Sequence, residues 1–366
     1  MYHSITIRNF RCFEHLVADE FTTINLITGY NNAGKSALLE ALWLHSVPNN
    51  PRLSLRLHRF RGIPSLDQDQ LLHDLHFNYD IGKPIELTAH GSWGDNPRRL
   101  TISHKHVPAT WIPFPQPNGS TRTGIPEVKS NALINSEFVW LYTDEEGESH
   151  KSFLRWNDSL PPQGEDGADP GIVVQAAELP PQPVNVFLSA RFREHANVDC
   201  NEFSDLIKRG EDHLVVDFIQ RIDSRIKKIV ILSRPSLMLY VDTGLKQYIP
   251  VGLLGDGVNR LLSMALAVFS ARNGILLLDE IENGLHYLKL PAMWQNLSTL
   301  AKHFNVQVFA TTHSEECIRA AHTALASVSS EALSVHRIDQ YEKGQLATTY
   351  NNEALDYAVE FGSEMR

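Results

Sequence analysis

Apolar and polar positions alternate from Tyr2 to Phe10, with Ile5 and Ile7 on one face, and this period of two predicts an opening strand. Phe21 to Thr28 predicts a second, because Ile24, Leu26 and Ile27 are apolar just before a run of glycine and asparagine. The spacing then becomes helical over Ser36 to His45. From about 51 to 186 the pattern breaks into short alternating runs at Ile85–Leu87, Leu100–Ile102, Phe138–Leu141 and Ser152–Leu154. Pro/Gly-rich connections at Pro108–Gly119 and Ser159–Gly171 separate them, the second expected to be an exposed loop. Val184 to Ser189 predicts a core strand. Glu202 to Ile231 predicts helix, with Leu214, Val215, Phe218, Ile222, Ile226 and Ile229 on one face. Met238–Val241 and Tyr248–Val251 predict a small hairpin.

The last third alternates more simply. Val258 to Phe269 predicts an apolar helix, and Ile275 to Leu278 a strand buried on both faces. Ala292 to Phe304 predicts another helix, and Val306 to Ala310 a strand that runs into Thr311-Thr312-His313-Ser314. The tail from Ala332 to Glu360 predicts short strands and a final short helix. Strand–helix–strand order with short connections predicts an α/β core with a largely parallel sheet.

Composition narrows the class. The 366 residues can bury a large core, and 33 Lys+Arg against 43 Asp+Glu give a formal charge of −10. A surface built throughout for nucleic acid is therefore not expected; such contact would need a local basic patch. Cys12, Cys200 and Cys317 are scattered without metal-ligand spacing, which predicts reduced thiols and a cytoplasmic setting. No stretch approaches a 20-residue apolar span and no leader-like apolar region opens the chain, so no membrane association is expected.

Two motifs carry the chemistry. Gly29-Tyr30-Asn31-Asn32-Ala33-Gly34-Lys35-Ser36 matches a phosphate-binding loop in full, with a strand before it and a helix after it. Backbone N–H groups of such a loop cradle phosphates, Lys35 reaches the β- and γ-phosphates, and Ser36 ligates Mg²⁺. A plain Gly/Asn-rich turn is the alternative. Ile275-Leu276-Leu277-Leu278-Asp279-Glu280 delivers two carboxylates at a strand end. Asp279 suits the Mg²⁺ shell and Glu280 the orientation or deprotonation of the attacking water; two acids at a helix start are the alternative. His313 follows a second apolar strand and could sense the γ-phosphate or the water, or simply cap or pack. Thr311, Thr312 and Ser314 read as strand-end and capping residues, with Ser314 at a helix start.

These residues together resemble the ABC-type ATPases of the SMC/Rad50/RecF superfamily, and most nearly the OLD-like (overcoming lysogenization defect) ATPases of bacterial defence systems. Ile5 to Phe13, which includes Arg11, resembles the family's first strand and turn. Tyr30 to Ser36 resembles its Asn-rich phosphate loop, Asp279 to His286 its acidic motif and interface loop, and Thr312-His313-Ser314 its switch histidine. The resemblance covers roughly residues 1–50 and 180–340. It implies a P-loop fold of ABC/SMC-head type and a cofactor set of ATP and Mg²⁺. The implied nucleotide contacts are Arg11, the loop from Gly29 through Ala37, and the partner's signature loop. It also implies a homodimer that encloses two nucleotides, with the signature loop of one subunit capping the γ-phosphate of the other. The matching stretch is Leu254-Gly255-Asp256-Gly257-Val258-Asn259-Arg260. Asp256 stands there at a glycine-like position and no serine precedes Gly255, a departure from the family's common Ser-Gly-Gly form. Asn259 and Arg260 could add donors.

No long charged heptad segment separates the motifs, so no coiled-coil arm is expected. The expected division is an N-terminal core part over 1–50, a β-rich insertion over 51–183, a core strand with a compact helical lobe over 184–250, and the C-terminal core part over 251–366. Gln68 and Gln70 are candidates for the family's Gln loop. The functional expectation is a stand-alone ATPase, lacking the nuclease domain, whose nucleotide state controls a separate nuclease or toxin. A RecF-like DNA clamp is the second class and a scaffold with negligible turnover the third. Arg52, Arg56, His58, Arg59, Arg61, Arg191 and Arg193 are the candidate DNA contacts.

Overall fold

The computed structural model describes residues 1–63, 73–108, 134–156, 172–180, 182–190, 196–234, 236–326, 332–341, 344–351 and 354–357. Strands β1 (Tyr2–Phe10), β2 (Phe13–Ala18) and β3 (Ile24–Thr28) lead to helices α1 (Lys35–Ser46) and α2 (Leu53–Phe60). Then come β4 (Ile85–Gly91), β5 (Gly94–Pro108), β6 (Ile134–Thr143), β7 (Ser149–Trp156), β8 (Ile172–Gln175) and β9 (Val186–Leu188). Helices α3 (Ala196–Arg209) and α4 (Asp212–Gln220) precede β10 (Lys228–Leu232), β11 (Met238–Asp242) and β12 (Ile249–Pro250). The chain closes with α5 (Asp256–Ser270), β13 (Ile275–Leu278), α6 (Leu290–Phe304), β14 (Gln307–Thr311), α7 (Glu315–Ala326), β15 (Leu333–Tyr341) and β16 (Gly344–Tyr350).

Among the described residues three sheets form. The central one has the order β16-β15-β3-β14-β13-β9 and is parallel except for the β15–β16 hairpin. Every residue of β3, β13 and β14 is buried, as expected for strands covered on both faces. Alternation along these strands divides the core in two. Ile24, Leu26, Leu276, Leu278, Val308 and Ala310 face helices α3 to α7, whereas Ile27, Ile275, Leu277 and Phe309 face α1 and the antiparallel sheet. Helix α1 is buried from Ala37 to Ser46 because it is clamped between the two sheets.

The antiparallel sheet runs β2-β1-β4-β5-β6-β7-β8. The expected insertion over 51–183 therefore does not stand alone: its strands extend a sheet founded by the first 18 residues, through β1 pairing with β4. Gln307 ties the two sheets together, its side-chain amide bonding both backbone groups of Tyr2 (2.7 and 2.8 Å). The short runs expected around residues 85, 100, 138 and 152 are parts of β4 to β7; β5 alone runs for 15 residues. The two Pro/Gly-rich connections fall mostly outside the described residues, as do Gln68 and Gln70.

The single helix expected over 202–231 is corrected. Gly210, at φ +71°, ends α3, and α4 stops at Gln220. Ile229 lies in β10, which pairs antiparallel with β11 and forms a third sheet with β12. The β-branched run Ile229-Val230-Ile231 favours the strand, although the spacing of its apolar residues continues that of the preceding helix. The expected hairpin of β11 with β12 is present inside that sheet.

Candidate functional site

Register places the chemistry. Thr28, Leu278, Thr311 and Leu188 end four neighbouring parallel strands on the same edge of the central sheet, where α/β folds bind ligands. The phosphate loop emerges from β3, Asp279 and Glu280 from β13, His313 follows β14, and Ser189 follows β9.

The loop is held by close packing. Gly29 (φ +132°) lies so near β15 that a Cβ there would sit 2.3 Å from the Ile338 carbonyl oxygen. Gly34 (φ +110°) would collide with the Phe13 ring at 2.5 Å and with Cys12 Sγ at 2.8 Å. Glycine is required at both positions. Asn32 is also left-handed, at φ +65°. Gly34 is the N-cap of α1, and no side chain caps the helix and no acid stands in its first turn. The first-turn N–H groups and the positive end of the helix dipole therefore suit an anion. Asn31, Ala33 and Tyr30 edge a hollow of about 430 Å³ that extends to Arg337–Tyr341. Lys35 folds over the loop and donates to the carbonyls of Gly29 (2.8 Å) and Tyr30 (3.0 Å). Burial lowers its pKa, against the opposing pull of Asp279, Glu280 and Glu282.

Ser36 Oγ donates to Asp279 Oδ1 at 2.9 Å, which joins the two motifs across 243 residues of sequence. Thr311 Oγ1 donates to the same oxygen at 2.7 Å and accepts the Glu280 N–H at 2.8 Å. Burial raises the Asp279 pKa, with the Thr311 and Ser36 bonds working the other way. A partly buried carboxylate beside a serine hydroxyl is a donor set that suits a hard divalent cation. With the glycine cradle next to it, the site fits a metal–nucleotide.

Glu280 has φ +49°, an uncommon conformation for a non-glycine residue, and its Oε2 accepts from Asn283 Nδ2 at 2.5 Å. His313 is half-exposed and its Nδ1 lies 3.2 Å from Glu282 Oε1. The same oxygen accepts from Thr312 Oγ1 (2.7 Å) and the His313 N–H (3.1 Å). Ser314 Oγ accepts the Cys317 N–H at 3.1 Å, the capping expected of it.

Not every expected contact joins this edge. Arg11 is mostly buried, with Nε on Glu40 (3.0 Å) and Nη1 on the Asp74 carbonyl (3.0 Å); among the described residues its Nη2 meets no hydrogen-bond partner. Gly255 is the N-cap of α5, and Asp256 and Gly257 in its first turn pack instead on the loop after β13, where a Cβ on Gly257 would lie 2.6 Å from the Gly284 carbonyl oxygen. Arg260 donates to the carbonyls of Asp279 (2.6 Å), Glu280 (3.4 Å) and Ser189 (3.3 Å). The basic segment after α1 is partly turned inward. His58 is buried and its pKa falls to about 4, chiefly through burial, while Arg61 bonds Glu40 at 2.7 Å. Arg191 and Arg193 lie outside the described residues.

Sequence reasoning missed Glu40, Glu282 and Asn283 and gave Thr311 no more than a strand-end part. Glu40 lies one helical turn after Ser36, and Glu282 and Asn283 sit inside the acidic motif, so position was the available signal.

Residues 24–319 match the family described as AAA domain, putative AbiEii toxin, Type IV TA system. The chain belongs to this family. A Helicobacter pylori relative named ATP/GTP phosphatase is 24% identical over 385 residues, covering 98% of this chain and 98% of its own. An uncharacterized Methanocaldococcus jannaschii protein is 42% identical over 65 residues, 18% of this chain and 57% of its own. An Smc head bound to the C-terminal winged-helix domain of ScpA superposes with TM-score 0.50 at 12% identity, over 98% of this chain and 99% of that one. This last likeness is one of fold, and it bears out the expected ABC/SMC-head type of P-loop NTPase. Among the described residues no helix is long and apolar enough to cross a membrane.

Proposed function

We propose that this chain is an ATP-hydrolysing, Mg²⁺-dependent dimeric switch, the ATPase component of a bacterial defence system that controls a separate effector. The observation that carries the hydrolytic part is the Ser36–Asp279 contact, which brings a complete phosphate loop and an acidic strand end to one sheet edge. Lys35 leaves the carbonyls of Gly29 and Tyr30 for the β- and γ-phosphate oxygens, exchanging neutral acceptors for charged ones. Ser36 and Asp279 hold the metal, and Gly29 to Ala37 bind the phosphates through backbone N–H groups. Mg²⁺, when bound there, would neutralise charge on the phosphate oxygens. Glu280 orients and deprotonates the attacking water once its carboxylate leaves Asn283. His313, held by Glu282, reads the γ-phosphate from the neighbouring strand end. The name of the Helicobacter pylori relative supports nucleoside triphosphate as the substrate class.

The dimer rests on exposed apolar side chains beside two separate loops. Leu253, Tyr287 and Leu288 are exposed next to the signature-like loop and the Gly284 turn, while Tyr30 and Tyr341 are exposed beside the phosphate loop. Pairing the first surface of one copy with the second of another covers both and brings Gly255–Gly257 to the partner's nucleotide. The DNA-clamp reading rests on fewer groups than expected: His58 of its basic segment is buried and Arg61 is paired with Glu40, which leaves Arg52 and Arg56 exposed. ATP turnover of wild type and Glu280→Gln tests the hydrolytic assignment. A loss of about 10²–10⁴-fold in kcat is expected, and undiminished turnover in the variant would remove Glu280 from the mechanism.

A further inference from the structure

Arg260 lies one turn into α5, the helix that begins at the signature-like loop. Both terminal nitrogens of its guanidinium donate to main chain: Nη2 to the Asp279 and Glu280 carbonyls and Nη1 to that of Ser189. Three carbonyl dipoles thus converge at the ends of β9 and β13, and one planar cation satisfies all of them. The Glu280 peptide is the one held in the left-handed conformation, at φ +49°. The direction of its carboxylate depends on that turn. The same first turn of α5 reaches Glu280 by a second route, since Gly257 packs on Gly284, next to the Asn283 that bonds Oε2.

We infer that Arg260 is a positioning residue for hydrolysis, which couples the place of the signature-like loop to the conformation of Glu280. The inference rests on the reading above, in which Glu280 activates water and a second copy reaches that loop. When partner contact shifts the start of α5, Arg260 carries the shift to the Asp279–Glu280 main chain. Nucleotide affinity is set at α1, on the other side of β13, so Arg260 bears on kcat and not on ground-state binding. Arg260 also lines a cavity of about 800 Å³, bounded by Trp43, Phe60, Phe187, Leu253 and Leu262. Removing the side chain would leave a guanidinium-shaped gap open to that cavity.

The test is single-turnover hydrolysis and nucleotide affinity for wild type, Arg260→Ala, Arg260→Lys and Glu280→Gln in the full chain. Arg260→Ala should lose about 100-fold in kcat, the scale of a misplaced reacting group, with nucleotide Kd unchanged. Millimolar guanidinium, but not urea, should restore part of that kcat in a saturable manner. Arg260→Lys keeps the charge and covers the case in which the alanine variant does not fold; it should lose about tenfold, since one ammonium cannot span three carbonyls. A kcat in Arg260→Ala or Arg260→Lys equal to wild type, with Glu280→Gln inactive, overturns the inference alone. Turnover retained in Glu280→Gln overturns the underlying reading. Loss of affinity matching the loss of kcat, without rescue by guanidinium, assigns Arg260 a purely structural part and also overturns the inference.

Discussion

Helices α1 and α5 both begin at a glycine N-cap with positive φ and no side-chain cap, yet their surroundings make them opposite devices. Around Gly34 the packing is closed, with Phe13 and Cys12 against it and Gly29 locked on β15; around Gly255 a Cβ would meet nothing within 4 Å. Helix α1 carries no acid in its first turn and starts with Lys35, whereas α5 starts with Asp256. A helix N-terminus offers N–H groups and a partial positive charge, but neighbouring charge decides whether an anion stays. The α1 loop is therefore complete within one chain. On the dimer proposed above, the α5 loop is a half-site whose acid opposes phosphate until a partner supplies the rest.

Removing the lysine should test this contrast most severely. Lys35→Ala is expected to weaken nucleotide binding by about 100-fold, the equivalent of about 3 kcal/mol for lost charge-assisted bonds. Calorimetric titration with a non-hydrolysable analogue would check it, and a change of only a few-fold would undo the distinction between the loops.

Asp279→Asn should cost most of the metal-dependent turnover, a several-kcal/mol effect, while stabilising the nucleotide-free protein. The sign follows from burial: the folded-state pKa of Asp279 is raised, so the proton's stabilising contribution is present below the unfolded value of about 3.9 and is lost as pH rises through the folded one. Thermal midpoints of variant and wild type should thus converge in acid and separate toward neutral pH, with asparagine the more stable. Equal midpoints at neutral pH would contradict a desolvated Asp279.

Two smaller effects address Glu280 and α5. Asn283→Ala frees the Glu280 carboxylate from its 2.5 Å partner, and a change in kcat of about 2–5-fold, the worth of one hydrogen bond, should appear without a change in Kd. Asp256→Gly removes the acid that opposes phosphate at α5. Nucleotide-dependent association should strengthen by about 2–5-fold, in line with a terminal charge on a helix dipole. Weaker association would mean that Asp256 itself bonds the partner.

What could be read from sequence divides along the same line as the two loops. The phosphate loop and acidic strand were legible because their spacing is imposed locally by backbone–phosphate geometry and a buried parallel strand. Lys35, Ser36, Asp279 and Glu280 lie where that spacing put them, and the α/β core followed from the alternation around them. Arg260, Glu40 and Thr311 were less legible, because their partners are backbone carbonyls or distant residues with no sequence period. The pairing of β1 with β4 across the expected boundary near residue 51 was not legible, because long-range strand pairing leaves no mark in local periodicity. The lost break between α4 and β10 has a simple cause: Ile226 and Ile229 keep a helical spacing while the β-branched run that follows needs a strand.

The central claim is that two half-sites close on ATP. The direct measurement is the solution mass of Glu280→Gln, which should bind without hydrolysing, by light scattering with and without ATP and Mg²⁺. Saturating ATP should double the mass of the nucleotide-free species at one nucleotide per chain, and Leu288→Asp should prevent the doubling without weakening nucleotide binding. A mass unchanged by bound ATP would contradict the account.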